Sequence, residues 1–233
     1  MPQAVRQRND VYFRSKSLGV TRRSLANLVG LAALYAFAPL PLIGDAVAQN
    51  ATIALAAEPV TLPDMALGPR NAPVTIVDYS SMTCSHCAAF MIKVFPMLRS
   101  KYIDAGLVRF VFREFPLDTK AQAASMLART IANDDSLRYF GAIDYLFKQQ
   151  DQLIAQPTDT LQRAGRQYGM SEQGVETCLK DQALLDKITV DQKIALEVVK
   201  VRATPTFFIN GQVNEGFMSF EAIDSKIASL LRK

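Results

Sequence analysis

The chain has 233 residues, of which 49% are hydrophobic and 21% are charged. This composition excludes a disordered or fibrous protein, and the length suffices for one substantial core with an inserted subdomain. The formal net charge is +4, but positions 1–48 contain six of the 26 basic residues and two of the 22 acidic ones. The rest of the chain therefore holds 20 residues of each sign, so no nucleic-acid partner is expected.

Residues 1–48 have the pattern of an export signal peptide. A basic region that ends in Arg22 and Arg23 precedes an uncharged apolar run over 26–43. A small-residue site then offers cleavage before Gln49, and paired arginines beside an apolar run are typical of the twin-arginine route. We therefore predict export and no stable membrane span after processing. The alternative is a retained signal anchor, because the apolar run is almost long enough to cross a bilayer.

The first predicted elements are an extended lead-in, a strand and a helix. The lead-in covers 49–70, and the apolar, β-branched run Val74–Tyr79 predicts a buried strand. The helix is expected to begin at Cys84, with Thr83 as its N-cap, and to end near Tyr102.

A second predicted strand, over 107–113, is followed by a change of pattern. From 120 to 199 apolar residues recur at helical spacing, which predicts a block of amphipathic helices. This block is predicted as a helical subdomain inserted into a main domain that is formed by 71–119 and 200–233.

The end of the chain predicts two strands and a helix. Thr206–Ile209 has the composition of a strand, and Asn210-Gly211 is a strong signal for a hairpin to a fourth strand over 212–215. Ser219 is expected to cap a final amphipathic helix. Because the strand–helix–strand unit implies parallel pairing and the hairpin implies an antiparallel edge, we predict an α/β fold with a mixed sheet and helices on its faces.

Two cysteines, Cys84 and Cys87, lie three residues apart at the predicted start of a helix. Free backbone N–H groups and the positive end of the helix dipole converge there and stabilise an anion on the first cysteine. Thiolates in such places have pKa values of about 3.5–7.5, compared with ~8.5 for a free thiol. We therefore expect Cys84 to be the nucleophile and Cys87, one turn into the helix, to resolve its mixed disulfides.

His86 is the only histidine of the chain and lies between the two cysteines. When its imidazole is protonated, the added positive charge would favour the thiolate of Cys84. A stabilised thiolate stabilises the reduced form, which makes the disulfide a stronger oxidant. The alternative is that His86 merely occupies a solvated loop position.

Other uses of a cysteine pair fit the sequence less well. A structural zinc site needs four ligands, and Cys178 and His86 are the only further cysteine and histidine residues. Haem attachment would require histidine where Ala88 stands. A disulfide that encloses only two residues removes little entropy from the unfolded chain. A redox role remains, and Cys178, on an apolar helix stripe, is expected to be a buried free thiol.

Three segments together resemble the DsbA-like branch of the thioredoxin superfamily. They are Val77-Asp78-Tyr79 before the Cys84-Ser85-His86-Cys87 motif, the helical block, and the segment Ala203–Gly211. The resemblance covers most of 71–232. It implies a thioredoxin-like fold with a helical insertion and the activity of a protein thiol-disulfide oxidoreductase.

The resemblance also implies roles for three further residues. Pro205 is expected to be cis and to face the cysteine pair, and Thr204 and Pro205 would form the edge on which a substrate peptide docks. Asp78 occupies the position of a buried acid, often glutamate, that relays a proton to or from Cys87. Because aspartate is one methylene shorter than glutamate, a bridging water is expected to complete this relay.

The implied function is that of a periplasmic oxidase without a metal or organic cofactor. Its partners would be reduced or misoxidised exported proteins and a regenerating membrane oxidase of the DsbB type. One alternative is a disulfide isomerase or reductase, although the lead-in before Val74 lacks the long dimerisation segment of dedicated isomerases. An alternative from another class is a copper carrier in which the reduced cysteines hold Cu(I), with Met82 and Met91 as candidate ligands.

Overall fold

The computed structural model describes residues 61–232, which contain one five-stranded sheet. The predicted signal peptide over 1–48 and the first part of the lead-in, 49–60, lie outside the described residues. The strands are β1 Met65–Leu67, β2 Val74–Ser80, β3 Val108–Glu114, β4 Thr206–Ile209 and β5 Gln212–Glu215. Their order across the sheet is β1-β3-β2-β4-β5. Because β2 and β3 are parallel and the other neighbours are antiparallel, the predicted mixed sheet is confirmed.

Eight helices accompany the sheet within the described residues. The first, α1, starts with Ser85–Ala89 and continues through π-helical Phe90–Val94, α-helical Phe95–Leu98 and π-helical Arg99–Ile103. The others are α2 Thr119–Ala132, α3 Ser136–Lys148, α4 Gln150–Ala155, α5 Pro157–Gln167, α6 Glu172–Leu179, α7 Gln182–Glu197 and α8 Phe220–Leu231. Helices α2 to α7 lie between β3 and β4, where the sequence predicts the helical block. Within 61–232, no helix combines the length and the apolarity that crossing a bilayer requires.

The lead-in contains a strand that the sequence did not predict. Met65–Leu67 pairs antiparallel with β3, and Met65 lies opposite Phe112. Three residues without a β-branched side chain give no strand signal of their own. The free edge of β3 therefore determines that this segment is extended and paired.

Both faces of the sheet are covered. On one face, Ile76, Phe110 and Phe207 join a core that also contains side chains of α1, α8 and the helical block. The ring of Phe90 in α1 lies 4.6 Å from the ring of Phe207. Side chains alternate along a strand, so Asp78 points to this same face as Ile76, towards α1. The opposite face packs against the end of α7.

A buried ion pair joins the helical block to the sheet. Arg129 of α2 donates two hydrogen bonds to the Glu114 carboxylate at the end of β3, at 2.5 and 2.6 Å. Tyr139 of α3 donates a third at 2.6 Å. Removing one partner of such a pair leaves an uncompensated buried charge, which costs about 3–5 kcal/mol. The contact therefore fixes the block against the end of β3.

The N-terminal arm, which we define as residues 61–64, is held by the same region. Arg129 donates to the carbonyl oxygen of Pro63 at 2.6 Å, and Arg113 donates to Asp64 at 2.9 Å and to the Tyr79 hydroxyl at 2.8 Å. The backbone N–H of Leu62 donates to a carboxylate oxygen of α7 at 3.1 Å. The arm is thus anchored to three elements of the fold, α2, β3 and α7, before β1 begins.

Replacing Gly68 by alanine is expected to lower the free energy of unfolding by about 2–4 kcal/mol. The φ angle of Gly68 is +84°, and a Cβ there would lie 2.1 Å from the carbonyl oxygen of Val108. That oxygen belongs to the backbone of β3, so it cannot yield without distorting the sheet. The loss is measured by urea denaturation monitored by circular dichroism.

The matched control is Gly216→Ala. Its φ angle is +83°, but an added Cβ meets no atom within 4 Å. Only the strain of a left-handed backbone remains, about 1 kcal/mol. Equal losses in the two variants would contradict the importance of the contact with Val108.

Candidate active site

Cys84 lies at the N-cap of α1, directly after the loop that follows β2. The prediction that Thr83 caps a helix starting at Cys84 is wrong, because the helix begins at Ser85. The hydroxyl of Thr83 instead lies 3.2 Å from the hydroxyl of Ser81. An N-cap side chain faces the free N–H groups of the first helical turn. The Cys84 thiol is therefore next to the positive end of α1.

The surroundings of Cys84 favour its thiolate and lower its pKa to about 5. The largest cause is a hydrogen bond from the side chain of Cys87. Partial burial opposes this effect, while the Thr204 side chain and the backbone N–H groups of Cys87 and His86 reinforce it. Cys84 remains partly exposed. At neutral pH it is thus an accessible thiolate.

Cys87 has the opposite character. Its side chain is 0% exposed, and burial raises its pKa far above the ordinary value for a thiol. Its hydrogen bond to Cys84 and the negative charges of Asp78 and Cys84 act in the same direction. Cys87 is therefore a protonated donor beneath a charged and accessible Cys84.

Asp78 is completely buried on β2, on the face that α1 covers. Burial raises its pKa to about 8, the charge of Cys84 adds to the increase, and a hydrogen bond from Ser80 opposes it. The Ser80 hydroxyl donates to Oδ1 at 2.6 Å. The other oxygen, Oδ2, has no hydrogen-bond partner among the described residues. At neutral pH Asp78 is therefore mainly a protonated carboxyl group.

The loop before β4 brings Thr204 and Pro205 to the cysteine pair. The peptide bond between them is cis. The Cys84 thiol lies 3.3 Å from the carbonyl oxygen of Thr204, to which it donates in its protonated form. His86, by comparison, is exposed at the surface, and it contributes to the lowered pKa of Cys84 through its backbone N–H.

The sequence-based reasoning missed polar groups that hold the loop between β2 and α1. The Ser81 hydroxyl accepts a hydrogen bond from the backbone N–H of Leu117 at 3.3 Å. The Gln150 side chain, from α4, donates to the carbonyl oxygens of Met82 and Cys84 at 2.9 and 3.0 Å. Serine at a turn could have been noticed from the sequence, but a glutamine in a helical block carries no such signal.

Three further sulfur-containing side chains, those of Met82, Met91 and Cys178, are buried. Met82 and Met91, the candidate copper ligands, are core residues that are 1% and 2% exposed. Among residues 61–232, no cluster of three or more histidine, cysteine or acidic side chains could hold a metal ion. Cys178 is a buried free thiol, as predicted, and its sulfur lies 3.0 Å from the Thr130 hydroxyl.

Comparison with known proteins places this fold and site in a family. The sequence model of the family described as Thioredoxin matches residues 61–229. The crystal structure of α-DsbA1 from Wolbachia pipientis shares 28% identity and has a TM-score of 0.69, with 77% of this chain and 95% of that chain covered. The chain belongs to the DsbA-like branch of the thioredoxin superfamily.

Two further comparisons, one by sequence and one by structure, are consistent with a thioredoxin-like fold. A Rickettsia bellii protein that carries the name protein-disulfide oxidoreductase is 31% identical over 166 residues, which cover 70% of this chain. The DsbA-like chain spans 63% of the length of that relative. The structure of BdbD from Bacillus subtilis has 22% identity and a TM-score of 0.64, covers 73% of this chain and 94% of its own, and supports the fold alone.

Proposed function

We propose that this DsbA-like chain is a periplasmic thiol-disulfide oxidoreductase that introduces disulfide bonds into exported proteins. The observation that carries the proposal is the asymmetry of the pair. Cys84 is partly exposed with a pKa of about 5, whereas Cys87 is buried and protonated. A thiolate that is stable without a partner is a good leaving group, so a disulfide that releases it is a strong oxidant.

The proposed reaction begins with the oxidised pair. A thiolate of the substrate protein attacks Sγ of Cys84, which forms a mixed disulfide and breaks the bond to Cys87. The released Cys87 sulfur takes up a proton. A second substrate thiolate then attacks the substrate sulfur of the mixed disulfide, and Cys84 leaves as a thiolate. The substrate has lost two electrons, which the reduced cysteine pair now holds.

Three neighbouring groups support these steps. Asp78 is buried and mainly protonated, and its ionised form would raise the pKa of Cys87, so we assign it the relay of the proton to and from that sulfur. Thr204 and Pro205 lie beside Cys84 and offer backbone groups on which an extended substrate peptide docks. His86 supplies its backbone N–H and, when protonated, a positive charge near the thiolate.

The cycle needs an oxidant, for which we propose a membrane-bound oxidase of the DsbB type. It would take the two electrons from the reduced pair and restore the Cys84–Cys87 disulfide. The basic and apolar pattern of residues 1–48 supports export, by the twin-arginine route, to the compartment where such an oxidase acts.

The reduction potential of the Cys84–Cys87 pair tests the proposal. At pH 7, two pH units above the pKa of Cys84, stabilisation of the thiolate favours the reduced form by about 1–2 kcal/mol after allowance for solvent screening. This stabilisation raises the potential by about 20–45 mV, so we expect a value above ~−270 mV, typical of thioredoxin, and shifted towards ~−120 mV, typical of strong disulfide donors. It is measured by equilibrating residues 49–233 with glutathione buffers. A value near the lower figure would replace the oxidase with a reductase or isomerase.

A further inference from the structure

Gln150 connects the helical block to the loop that carries the nucleophilic cysteine. It is the first residue of α4, and its side chain is 9% exposed. Its Nε2 atom donates to the carbonyl oxygen of Met82 at 2.9 Å and to that of Cys84 at 3.0 Å. Both partners are carbonyl oxygens, so only the NH₂ side of the amide can face them. One side chain thus binds the loop on both sides of Thr83.

The two carbonyl groups differ in the hydrogen bonds that they accept from other groups. The carbonyl oxygen of Cys84 also accepts the N–H of Ala88 at 3.0 Å, which is the first hydrogen bond of α1. The carbonyl oxygen of Met82 lies in a residue that is 1% exposed, and Gln150 supplies a hydrogen bond to it. A buried carbonyl that loses its donor costs about 1–3 kcal/mol. The loop is therefore expected to change conformation when the amide is removed.

The same contacts act on the charge at Cys84. Carbonyl oxygens carry partial negative charge, and the N–H dipoles of Gln150 partly neutralise it at Cys84 itself and at Met82, two residues before the thiolate. Hydrogen bonding at the Cys84 carbonyl also polarises the peptide group that it shares with Ser85 and strengthens the positive end of α1. Both effects favour an anion at Cys84.

We propose that Gln150 is a positioning residue through which the helical block fixes the Cys84 loop and stabilises the thiolate of Cys84. This inference rests on the proposed function, because it concerns the tuning of that redox pair. Gln150 contacts the carbonyl oxygens of Met82 and Cys84 and acts on the Cys84 thiolate through them, without touching a reacting sulfur atom.

The test compares Gln150→Leu, which removes both donors at similar volume, with Gln152→Leu, an exposed glutamine of the same helix. The first measurement is the pH titration of the Cys84 thiolate by its absorbance at 240 nm. The second is the equilibrium constant with glutathione. For Gln150→Leu we expect the titration midpoint to move to higher pH and the disulfide to become roughly 5-fold less oxidising, as the loss of one net hydrogen bond implies. Gln152→Leu is expected to match the wild type in both.

Gln150→Asn provides a second variant in case the leucine variant does not fold. Its shorter amide can keep at most one of the two contacts, so an intermediate shift is expected. If the folded Gln150 variants titrate and equilibrate as the wild type does, Gln150 is only structural and the inference fails. If the wild type itself shows no reversible exchange with glutathione, the proposed function fails instead, so the two failures are distinguishable.

Discussion

Cys84→Ser is expected to lower the rate of disulfide exchange by about a hundredfold or more, because a hydroxyl group cannot replace the thiolate as nucleophile or leaving group. Cys87→Ala is expected to have a different effect. Its Cys84 thiolate still attacks glutathione disulfide, releases one glutathione thiolate and forms a mixed disulfide. Without the buried Cys87 thiol, this mixed disulfide has no resolving group and accumulates. Mass spectrometry after acid quenching measures it.

Cys178→Ala is the matched control for these variants. Cys178 lies on α6, is 5% exposed and contacts Thr130 rather than the cysteine pair. Exchange by this variant is expected to equal that of the wild type. Accumulation of the mixed disulfide on Cys178, or normal exchange by Cys84→Ser, would contradict the roles proposed for the pair.

Asp78→Asn is expected to remove a large pH dependence from the stability of the oxidised protein. The folded-state pKa of Asp78 is about 8, raised mainly by burial from an ordinary value of 3.8. Between these two pH values the folded protein binds one proton more than the unfolded chain. Stability is therefore fully present below pH 4 and decreases as the pH rises towards 8, in total by on the order of 5 kcal/mol. The asparagine variant should show a much flatter profile over this range.

The oxidised form is the right state for this measurement. In the reduced protein the low pKa of Cys84 makes stability increase with pH above about 5, which opposes the effect of Asp78. The disulfide removes that titration, whereas the burial of Asp78 remains. Urea unfolding at several pH values compares wild type, Asp78→Asn and Asp151→Asn, whose carboxyl group is exposed. Equal slopes in the wild type and Asp78→Asn would refute the assignment of a buried protonated acid.

The fold and the position of Cys84 at a helix start could be predicted because their signals are local. A β-branched run followed by two cysteines at i and i+3 places a thiol at a helix start, and Asn210-Gly211 defines the hairpin between β4 and β5. These patterns depend on backbone geometry within a few residues. They need no knowledge of the tertiary structure.

The features that could not be predicted depend on contacts between distant parts of the chain. Thr83 is a better N-cap type than cysteine, but its hydroxyl is next to Ser81, and the helix starts one residue later. Gln150 meets a carbonyl group 66 residues earlier in the chain. No local sequence pattern indicates this hydrogen bond, because the two groups come together only when the helical block packs on the sheet.

The N-terminal arm limits how far the chain can be trimmed from its N-terminal side. If the signal is removed before Gln49, as we propose, the whole arm remains in the mature protein. A protease that cut after Asp64 would take away the carboxylate that faces Arg113 and the carbonyl group that accepts from Arg129. Two guanidinium groups in the interior would then lose partners. The sequence from Thr61 onward is thus an integral part of the folded domain.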